Sequence, residues 1–475
     1  MQTDCTEEQL EFQGLGRRRV EAKFDAGRVS SDGGILLLRE LDSRTGIIDR
    51  FSRCFTDHRD PDLIEHSAED LVRQRVFGLC LGYEDLNDHD TLRGDALLAT
   101  AVGKVDPTGR DRKYPRDRGK ALAGKSTLNR LELTPAGATS RSRYKKIVAR
   151  DEDVERFFID EFIDAHAHEQ LERIILDVDP SDIELHGDQQ GRFYHGYYGH
   201  YCYLPLYIFC GEDLLMARMR TADRDGCDGA VEALKWLVPQ LREQWPEAEL
   251  VVRADSGFAR EEIFAWCEEN EVEYVIGLAK NSRLLAMVAK DLQAVRDEQA
   301  ESGGAVRRFS EFNYQTLKSW SRQRRVIAKA EQLPGKSNPR FVVTSYSVER
   351  FEPRELYEDE YCQRGEAENR LKEHQLDLFG DRASCTQMRP NQLRLWFSAV
   401  AYALMLELRR TALADTPLAR AQTNTIRTRL LKLGALIRIS VRRVRISFSS
   451  VFPLQQLFRR ARDNIRRAYQ VPLPA

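Results

Sequence analysis

Arg173-Ile-Ile-Leu-Asp-Val-Asp179 is the stretch that decides the fold of this 475-residue chain. Its apolar and β-branched residues predict a buried strand, which carries two carboxylates, Asp177 and Asp179, at its end. A second apolar run, Leu250-Val-Val-Arg-Ala254, is followed directly by Asp255. Because open α/β sheets bind ligands at the carboxyl ends of their strands, we expect these acids to face one crevice.

Strands and helices alternate around these two runs. Periodicity predicts a helix before the first strand and a hairpin after it, with its turn at Gly211-Glu212-Asp213. The predicted elements are helix Val154–Glu172, strand Arg173–Asp179, strands Tyr201–Phe209 and Leu214–Arg220, helix Ala230–Trp245, strand Glu249–Ala254, helix Arg260–Asn270 and strand Tyr274–Gly277. This order is typical of an α/β unit of the ribonuclease H type.

A third carboxylate lies on a predicted helix further along the chain. The helix spans Leu356–Gln375 and contains the pattern Tyr361-x2-Arg364-x3-Glu368. Spacings of three and four place these side chains on one helix face, and so polar a face is not typical of a core helix. For each acid alone, a solvated side chain or a cap at a strand end is the more frequent explanation. Their joint order in one α/β unit favours an acidic active site.

The composition is that of a globular protein without a membrane-spanning segment. Hydrophobic residues make up 42% of the chain and charged residues 31%. The longest uncharged apolar runs, Tyr201–Cys210 and Leu395–Leu406, are shorter than the roughly 18 residues that cross a bilayer. Nine cysteines without a Cys-x-x-Cys pair argue against a disulfide framework and a structural zinc site. We therefore expect a protein of the reducing cytoplasm that binds no membrane.

Charge is segregated along the chain, although the totals of 73 basic and 75 acidic residues nearly cancel. Residues 101–150 contain 14 basic and 4 acidic side chains, and residues 151–190 contain 2 basic and 14 acidic ones. Residues 416–475 contain 13 basic side chains and a single acidic one. Two basic blocks around an acidic centre favour nucleic acid as a partner and cations at the centre. Solvated helix faces are the alternative explanation for either basic block alone.

Composition and spacing divide the chain into six expected segments. Asp255 and Glu368 are 113 residues apart, which is too long for the elements that normally intervene and predicts a strand-rich insertion. The expected segments are a mainly helical, DNA-binding N-terminal unit (1–100), a basic DNA-contacting linker (101–150), the first core part (151–276), the insertion (277–340), the second core part with the Glu368 helix (341–415) and a basic C-terminal region (416–475).

Several motifs resemble those of DDE transposases from bacterial insertion sequences, in particular the insertion-sequence 1380 family. These motifs are Val29–Asp42, Arg73–Asp88, Leu176–Asp179, Tyr201–Leu206, Arg253–Phe258 and Glu368–Glu373, which together span most of the chain. The resemblance implies a ribonuclease H-like catalytic domain in which two Asp and one Glu bind divalent metal. Carried to this sequence, the second Asp is Asp255 and the Glu is Glu368.

The first Asp is open between Asp177 and Asp179, because both match the pattern Asp-x-Asp. We prefer Asp179, since Asp179-Pro180-Ser181 resembles the Asp-x-Thr of related transposases. The family resemblance therefore implies Asp179, Asp255 and Glu368 as catalytic metal ligands, with Asp177 as the alternative to Asp179.

The helix signature departs from the family pattern at one position. The related pattern Tyr-x2-Arg-x3-Glu-x6-Lys predicts a lysine at position 375, where this sequence has Gln375. Lys372, one helical turn earlier, is the candidate substitute for phosphate binding. Tyr361 and Arg364 match the pattern, so the resemblance implies that both contact DNA phosphate.

The implied activity is that of a transposase. Such a protein binds the ends of its insertion sequence, cleaves double-stranded DNA and joins the 3′ ends to target DNA. Mg²⁺ is the implied cofactor, with Mn²⁺ expected to substitute, because two hard cations on carboxylates serve both ends of an in-line displacement. The resemblance further implies a homodimer in the DNA complex and a location at the bacterial nucleoid, and no nucleotide is expected.

Two further groups are candidate DNA contacts. Trp320 stands among basic residues and is a candidate to stack on an unpaired base, with a core position as the alternative. Arg442, Arg443 and Arg445 lie in a predicted strand, Leu436–Phe448. Its alternation slips at Arg442-Arg443, so the three share a face only if a bulge lies there. A solvated edge strand is the alternative.

Two other functions have to be weighed against a transposase. Gly119-Lys-Ala-Leu-Ala-Gly-Lys-Ser126 matches the phosphate-binding loop of ATPases, which needs a buried strand before it. The preceding residues, 111–118, are too charged to form one. A catalytically silent DNA-binding protein derived from a transposase is the second alternative, and the complete acidic set disfavours it.

Overall fold

The computed structural model describes residues 9–469 and divides the chain into two compact units. We call residues 149–399 the central unit, and residues 1–148 together with 400–475 the discontinuous unit. One border lies beside the predicted border at residue 150, and the other lies inside the segment predicted to end at residue 415. Most of the predicted basic linker thus belongs to the same unit as the N-terminal helices and the C-terminal hairpin.

One large sheet forms the middle of the central unit. Its strands lie in the order Asp213–Arg218, Leu206–Cys210, Arg173–Pro180, Glu249–Ala254, Glu273–Leu278, Arg340–Thr344, Arg324–Leu333 and Val306–Tyr314, with Lys336–Ser337 paired to Arg324–Leu333. We call Arg173–Pro180 the Asp179 strand and Glu249–Ala254 the Asp255 strand. These two run parallel to each other, and Glu273–Leu278 runs parallel to the Asp255 strand. The other pairings in this sheet are antiparallel.

Helices cover both faces of this sheet. Leu176, Val178 and Val252 belong to the larger core on one face. The helices that contribute to that core are Asp151–Ala165, Ala230–Gln244, Glu261–Glu269, Ser282–Met287 and Ala289–Ser302. The opposite face packs against a long helical segment that we call the Glu368 helix. It consists of the α-helical stretches Pro353–Glu355 and Arg364–Lys372, which alternate with the π-helical stretches Leu356–Tyr361 and Glu373–Asp377.

The structure departs from the predicted elements at three places in the central unit. The predicted insertion contains two helices besides its strands, and these strands extend the central sheet. The predicted strand Tyr201–Phe209 is divided at Leu204-Pro205 into His200–Tyr203 and Leu206–Cys210, which belong to different sheets. Proline has no backbone N–H to donate, so the sheet pairing changes there. The predicted helix Val154–Glu172 instead spans Asp151–Ala165.

The remaining elements of the central unit are a small sheet and a long helix. The strands of the sheet are Ile183–Glu184, Phe193–His195 and His200–Tyr203. The helix spans Met388–Glu407 and ends beyond the border of the unit.

The discontinuous unit combines helices with short sheets. Its α-helices are Ile35–Thr45, Ile47–Ser52, Ala68–Leu81, His89–Leu92, Ala96–Val102, Lys125–Glu132, Thr423–Ile426 and Gln455–Ala468, with π-helical stretches at Leu408–Ala412 and Arg427–Leu431. Its strands are Leu10–Leu15, Arg18–Ala22, Arg28–Ser30, Phe55–Asp57, Ala435–Ser440 and Arg443–Phe448, and Ile147–Ala149 crosses the border. Among residues 9–469, no helix is long and apolar enough to cross a membrane.

Helix ends in the discontinuous unit follow local capping chemistry. Ser67 and Asp70 form a capping box at the start of Ala68–Leu81. Helix Ala96–Val102 begins after Asp95, because the Asp95 side chain accepts backbone N–H bonds from Leu97 and Leu98.

Candidate active site

Asp179 and Asp255 lie side by side at the carboxyl ends of two parallel strands. Val178 pairs with Ala254 in the sheet register, so the two acids occupy the next position on each strand. Neighbouring strands are about 4.8 Å apart, so the two carboxylates can share a ligand. Alternation along each strand directs both side chains to the face that the Glu368 helix covers.

Asp177 lies on the same face but is held in a buried ion pair. Its oxygens accept hydrogen bonds from Arg253 Nε and Nη2 at 2.6 and 2.7 Å, and its side chain is only 3% exposed. Burial raises the pKa of Asp177, and Arg253 acts against this shift. Arg253 Nη1 also donates to the carbonyl of Glu360 at 2.8 Å and so ties the sheet to the Glu368 helix. This structural role leaves Asp179 as the better candidate for the first acid.

Asp179 is partly buried and strongly perturbed. Its side chain is 20% exposed, and Arg364 Nη1 donates to Oδ1 at 3.4 Å. Burial raises the pKa of Asp179 to about 7; Arg364 opposes this, and the charges of Asp255 and Glu368 add to it. The charges of the other two predicted acids are therefore close enough to affect the pKa of Asp179.

Arg364 joins the first and third acids. Its Nη2 donates to Oε1 of Glu368, one turn further along the helix, while its Nη1 reaches Asp179. The single positive charge of the guanidinium is therefore shared between two carboxylates. Among the residues that the structure describes, no three Asp, Glu, His or Cys side chains are close enough together to hold a metal ion.

The acids nevertheless fit a hard divalent cation in their chemistry. All three supply carboxylate oxygens, which Mg²⁺ and Mn²⁺ prefer. The pKa of Asp179 is raised by burial and by the neighbouring negative charges, so a cation placed there would favour its ionised form. Asp179, Asp255 and Glu368 are the residues that would hold such an ion.

Tyr361 approaches the backbone of the third parallel strand. A Cβ added to Gly277 would lie 2.5 Å from Tyr361 Oη and 3.0 Å from the backbone nitrogen of Ser256. Glycine at this position therefore leaves the space that the phenol occupies beside Asp255. Asp255 itself accepts a hydrogen bond from the N–H of Gly257 at 2.8 Å, which orients its carboxylate. Burial raises the pKa of Tyr361, so its hydroxyl stays a neutral donor.

Gln375 lies where the family signature has its lysine. Its Nε2 donates to Ser181 Oγ at 3.0 Å, two residues after Asp179, so an uncharged amide lies beside the acids. Lys372 is exposed on the Glu368 helix, one turn after Glu368.

The structure corrects the expected role of Trp320. Its side chain belongs to the large core and is 5% exposed. Its ring packs edge-on against Phe264 and Tyr314, with centroids 5.2 and 5.7 Å away. A ring enclosed in this way has no free face for a base, so the core alternative is the correct one.

The predicted C-terminal strand Leu436–Phe448 is a hairpin of the strands Ala435–Ser440 and Arg443–Phe448. The slip in alternation at Arg442-Arg443 marks the turn of this hairpin, so the condition of a bulge within one strand is not met. Arg438 pairs with Arg445, and Ser440 pairs with Arg443, so Arg438, Arg443 and Arg445 share one face. Arg442 is exposed at the turn. Arg438 was not among the candidate DNA contacts, because its pairing with Arg445 follows only from the position of the turn.

The Gly119–Ser126 motif lies outside a strand–loop–helix setting. A single 3₁₀ turn at Pro115–Asp117 precedes it, and the helix Lys125–Glu132 follows Gly124. The buried strand that a phosphate-binding loop requires is absent before it.

The sequence of this chain matches the model of a known protein family. The family model described as "Transposase DDE domain group 1" matches residues 12–470. The chain belongs to this family of DDE transposases. This confirms the predicted transposase at the level of the family, whereas membership of the insertion-sequence 1380 family stays a prediction. No curated protein matches the chain.

Proposed function

We propose that this transposase cleaves the ends of its insertion sequence at Asp179, Asp255 and Glu368 and joins the 3′ ends to target DNA. The observation that carries the proposal is the adjacency of Asp179 and Asp255 at parallel strand ends, electrostatically coupled to Glu368. The order of the first five strands and their directions support a ribonuclease H-like core. Double-stranded DNA is then the substrate, and a homodimer would hold two element ends together.

Each polar group of the site has a task in this reaction. The three carboxylates would hold divalent cations, Mg²⁺ or Mn²⁺, whose chemistry when bound would be activation of water and stabilisation of the leaving oxygen. Arg364 has a planar fork that suits a phosphate as well as a carboxylate, so it can leave the acids for the DNA backbone. Tyr361 offers a neutral hydroxyl donor beside Asp255.

The test is DNA cleavage by variants that lose one acid. Asp255→Asn and Glu368→Gln should abolish cleavage of the element ends in Mg²⁺ and keep DNA binding within a few fold. The matched controls are Asp188→Asn, an exposed acid of the same unit, and Glu366→Gln, on the same helix two residues away. Near-normal cleavage by either acid variant would contradict the site.

The catalytically silent alternative is tested by the same experiment. A silent DNA-binding protein would bind the ends without cleavage in the unaltered chain. The retention of all three acids, with Arg364 aligned on two of them, argues against that alternative.

A further inference from the structure

A cavity of about 370 Å³ opens beside the acids within the central unit. Ser256, which directly follows Asp255, and Tyr361 form the wall nearest the acids. The rest is lined by residues 277–280, at and just after the end of the third parallel strand, and by residues 336–341 of the neighbouring hairpin. The cavity and the acids therefore lie at the same edge of the central sheet.

The charge of this cavity is positive. Lys280, Lys336 and Arg340 line it and are exposed, and no acidic residue is among the lining residues. Within residues 9–469, none of these three cations forms an ion pair. Three like charges gathered around one cavity repel each other, so an anion is the ligand that relieves this cost.

Cations elsewhere in the same half of the sheet are neutralised. Arg324 pairs with Glu261 and Glu268, and Lys329 pairs with Glu331 at 2.9 Å. These basic side chains on strand Arg324–Leu333 thus have acidic partners within the fold. Among the described basic residues on the strands between residues 306 and 344, Lys336 and Arg340 lack an ion pair, and both lie with Lys280 at the edge that also carries the acids.

We propose that Lys280, Lys336 and Arg340 bind the backbone of one DNA strand next to the phosphate that the acids cleave. The proposal rests on the proposed function, because it uses the acids to locate the cleaved bond. Two ammonium groups and one guanidinium match the phosphates, and Leu278, Pro339 and Phe341 provide apolar wall for a sugar or base. The volume suits about one nucleotide, at the lower end of small-ligand sites.

The acids themselves explain why such a subsite is needed. Asp179, Asp255 and Glu368 carry negative charge toward a polyanion, and Arg364 is the cation paired with two of them. Cations on the adjoining wall offset the repulsion and fix the position of the strand along the sheet edge.

The experiment measures binding of a fluorescein-labelled duplex, carrying the element terminus and its flank, over a range of salt concentrations in EDTA. The pocket variant combines Lys280→Ala, Lys336→Ala and Arg340→Ala. Each lost phosphate contact lowers the slope of log affinity against log salt by about 0.9, so we expect a decrease of about 2–3 units. The control variant combines Lys235→Ala, Lys290→Ala and Arg296→Ala, which removes the same charge from exposed helix positions. A slope in the pocket variant equal to that of the control overturns the proposal.

A charge-preserving variant separates loss of contact from loss of fold. Lys280→Arg, Lys336→Arg and Arg340→Lys together should keep the slope of the unaltered chain. A slope as low as that of the alanine variant would mean that structural damage, and not lost charge, weakens binding, and it overturns the proposal.

Neutral methylphosphonates locate the contact on the DNA. Substitutions within about three nucleotides of the cleaved bond should weaken binding by the unaltered chain and have no further effect in the pocket variant. Effects confined to phosphates a helical turn or more away would overturn the location.

Cleavage by the unaltered chain in Mg²⁺ separates this inference from the proposed function. Cleavage together with an unchanged slope in the pocket variant overturns the pocket and keeps the function. A lowered slope without any cleavage overturns the function and keeps a DNA-binding cavity.

Discussion

Arg364 links two of the three acids and thereby sets the charge of the site. Its guanidinium contacts both Asp179 and Glu368, which are the groups that would hold a cation. A metal ion bound by these acids would therefore compete with Arg364 for the same carboxylates. DNA phosphate offers the arginine another partner, so we expect metal binding and DNA binding to support each other.

Removing this competitor should strengthen metal binding in the absence of DNA. Arg364→Ala should bind Mn²⁺ about tenfold more tightly, equivalent to about 1.4 kcal/mol, because its carboxylates have lost their partner. Manganese binding followed by electron paramagnetic resonance measures this, with Arg354→Ala, an exposed arginine of the same helix, as the control. Equal Mn²⁺ affinity in Arg364→Ala and the unaltered chain would contradict the competition.

The sequence could supply the three acids but could not decide between Asp177 and Asp179. Residues two apart on a strand point to the same face, so periodicity treats both alike. Our preference for Asp179 is supported by Arg253, which lies opposite Asp177 in the neighbouring strand and occupies its carboxylate. Strand register is a non-local property, and no local pattern contains it.

At the scale of elements, close packing between the Glu368 helix and the sheet positions the site. The helix contributes Leu356 and Tyr357 to a small core with Val251 and Val275. This contact fixes where Tyr361 reaches the sheet, at Gly277.

Gly277→Ala should therefore damage catalysis more than folding. The added Cβ would lie 2.5 Å from Tyr361 Oη, so the phenol has to leave its position beside Asp255. We expect cleavage to fall by at least tenfold, since misplacement of about 1 Å in an active site has effects of this order. Cleavage rates and a thermal unfolding curve measure the two effects, with Gly304→Ala, in open space, as the control. Full cleavage activity in Gly277→Ala would show that Tyr361 does not need this position.

The arginine hairpin is a second element with a testable surface. If Arg442, Arg443 and Arg445 contact phosphates, replacing all three by alanine should flatten the salt slope of DNA binding by up to about 2–3 units. Element ends and random duplexes should lose affinity alike, because phosphate contacts carry no sequence information. A salt titration measures this. A slope equal to that of the unaltered chain would indicate a solvated edge strand instead.

The bounds of helices and strands were predictable where they depend on the hydrophobic periodicity of neighbouring residues in the sequence. The Asp255 strand has the predicted bounds, Glu249–Ala254, and helix Ala230–Gln244 ends one residue before its predicted end. The strands between residues 306 and 344 were expected from composition, yet their pairing with the central sheet depends on contacts distant in sequence. The choice between a base contact and a core position for Trp320 stayed open for the same reason, because its core neighbours Phe264 and Tyr314 come from separate elements.

At the scale of the whole molecule, three histidines are buried in their neutral form. Burial lowers the pKa values of His66, His89 and His374 to about 3. Their pKa values are about 6.5 in an unfolded chain, so between pH 3 and 6.5 the unfolded chain binds more protons. The contribution of these histidines to the free energy of unfolding is therefore fully present above pH 6.5. It is lost as the pH falls, by about 1.4 kcal/mol per pH unit for each histidine.

His374 allows this pH dependence to be measured. His374→Gln should lower stability at pH 7.5, because Ser398 Oγ loses its contact with His374 Nε2 at 3.0 Å and keeps only the Leu378 carbonyl at 2.8 Å. The same variant should reduce the further loss of stability between pH 6.5 and 5. Urea unfolding at several pH values measures both effects, and His186→Gln, an exposed histidine, is the control. An unchanged pH dependence in His374→Gln would contradict a neutral buried His374.

The central claim is that this chain cuts DNA with its three acids. The most direct measurement incubates the unaltered chain with duplexes of the element ends and a target DNA, in Mg²⁺ and in EDTA. We predict strand cleavage at the element end and joined products in Mg²⁺, and neither in EDTA nor with Glu368→Gln. Binding of the ends without Mg²⁺-dependent cleavage, or full cleavage by Glu368→Gln, would contradict the account.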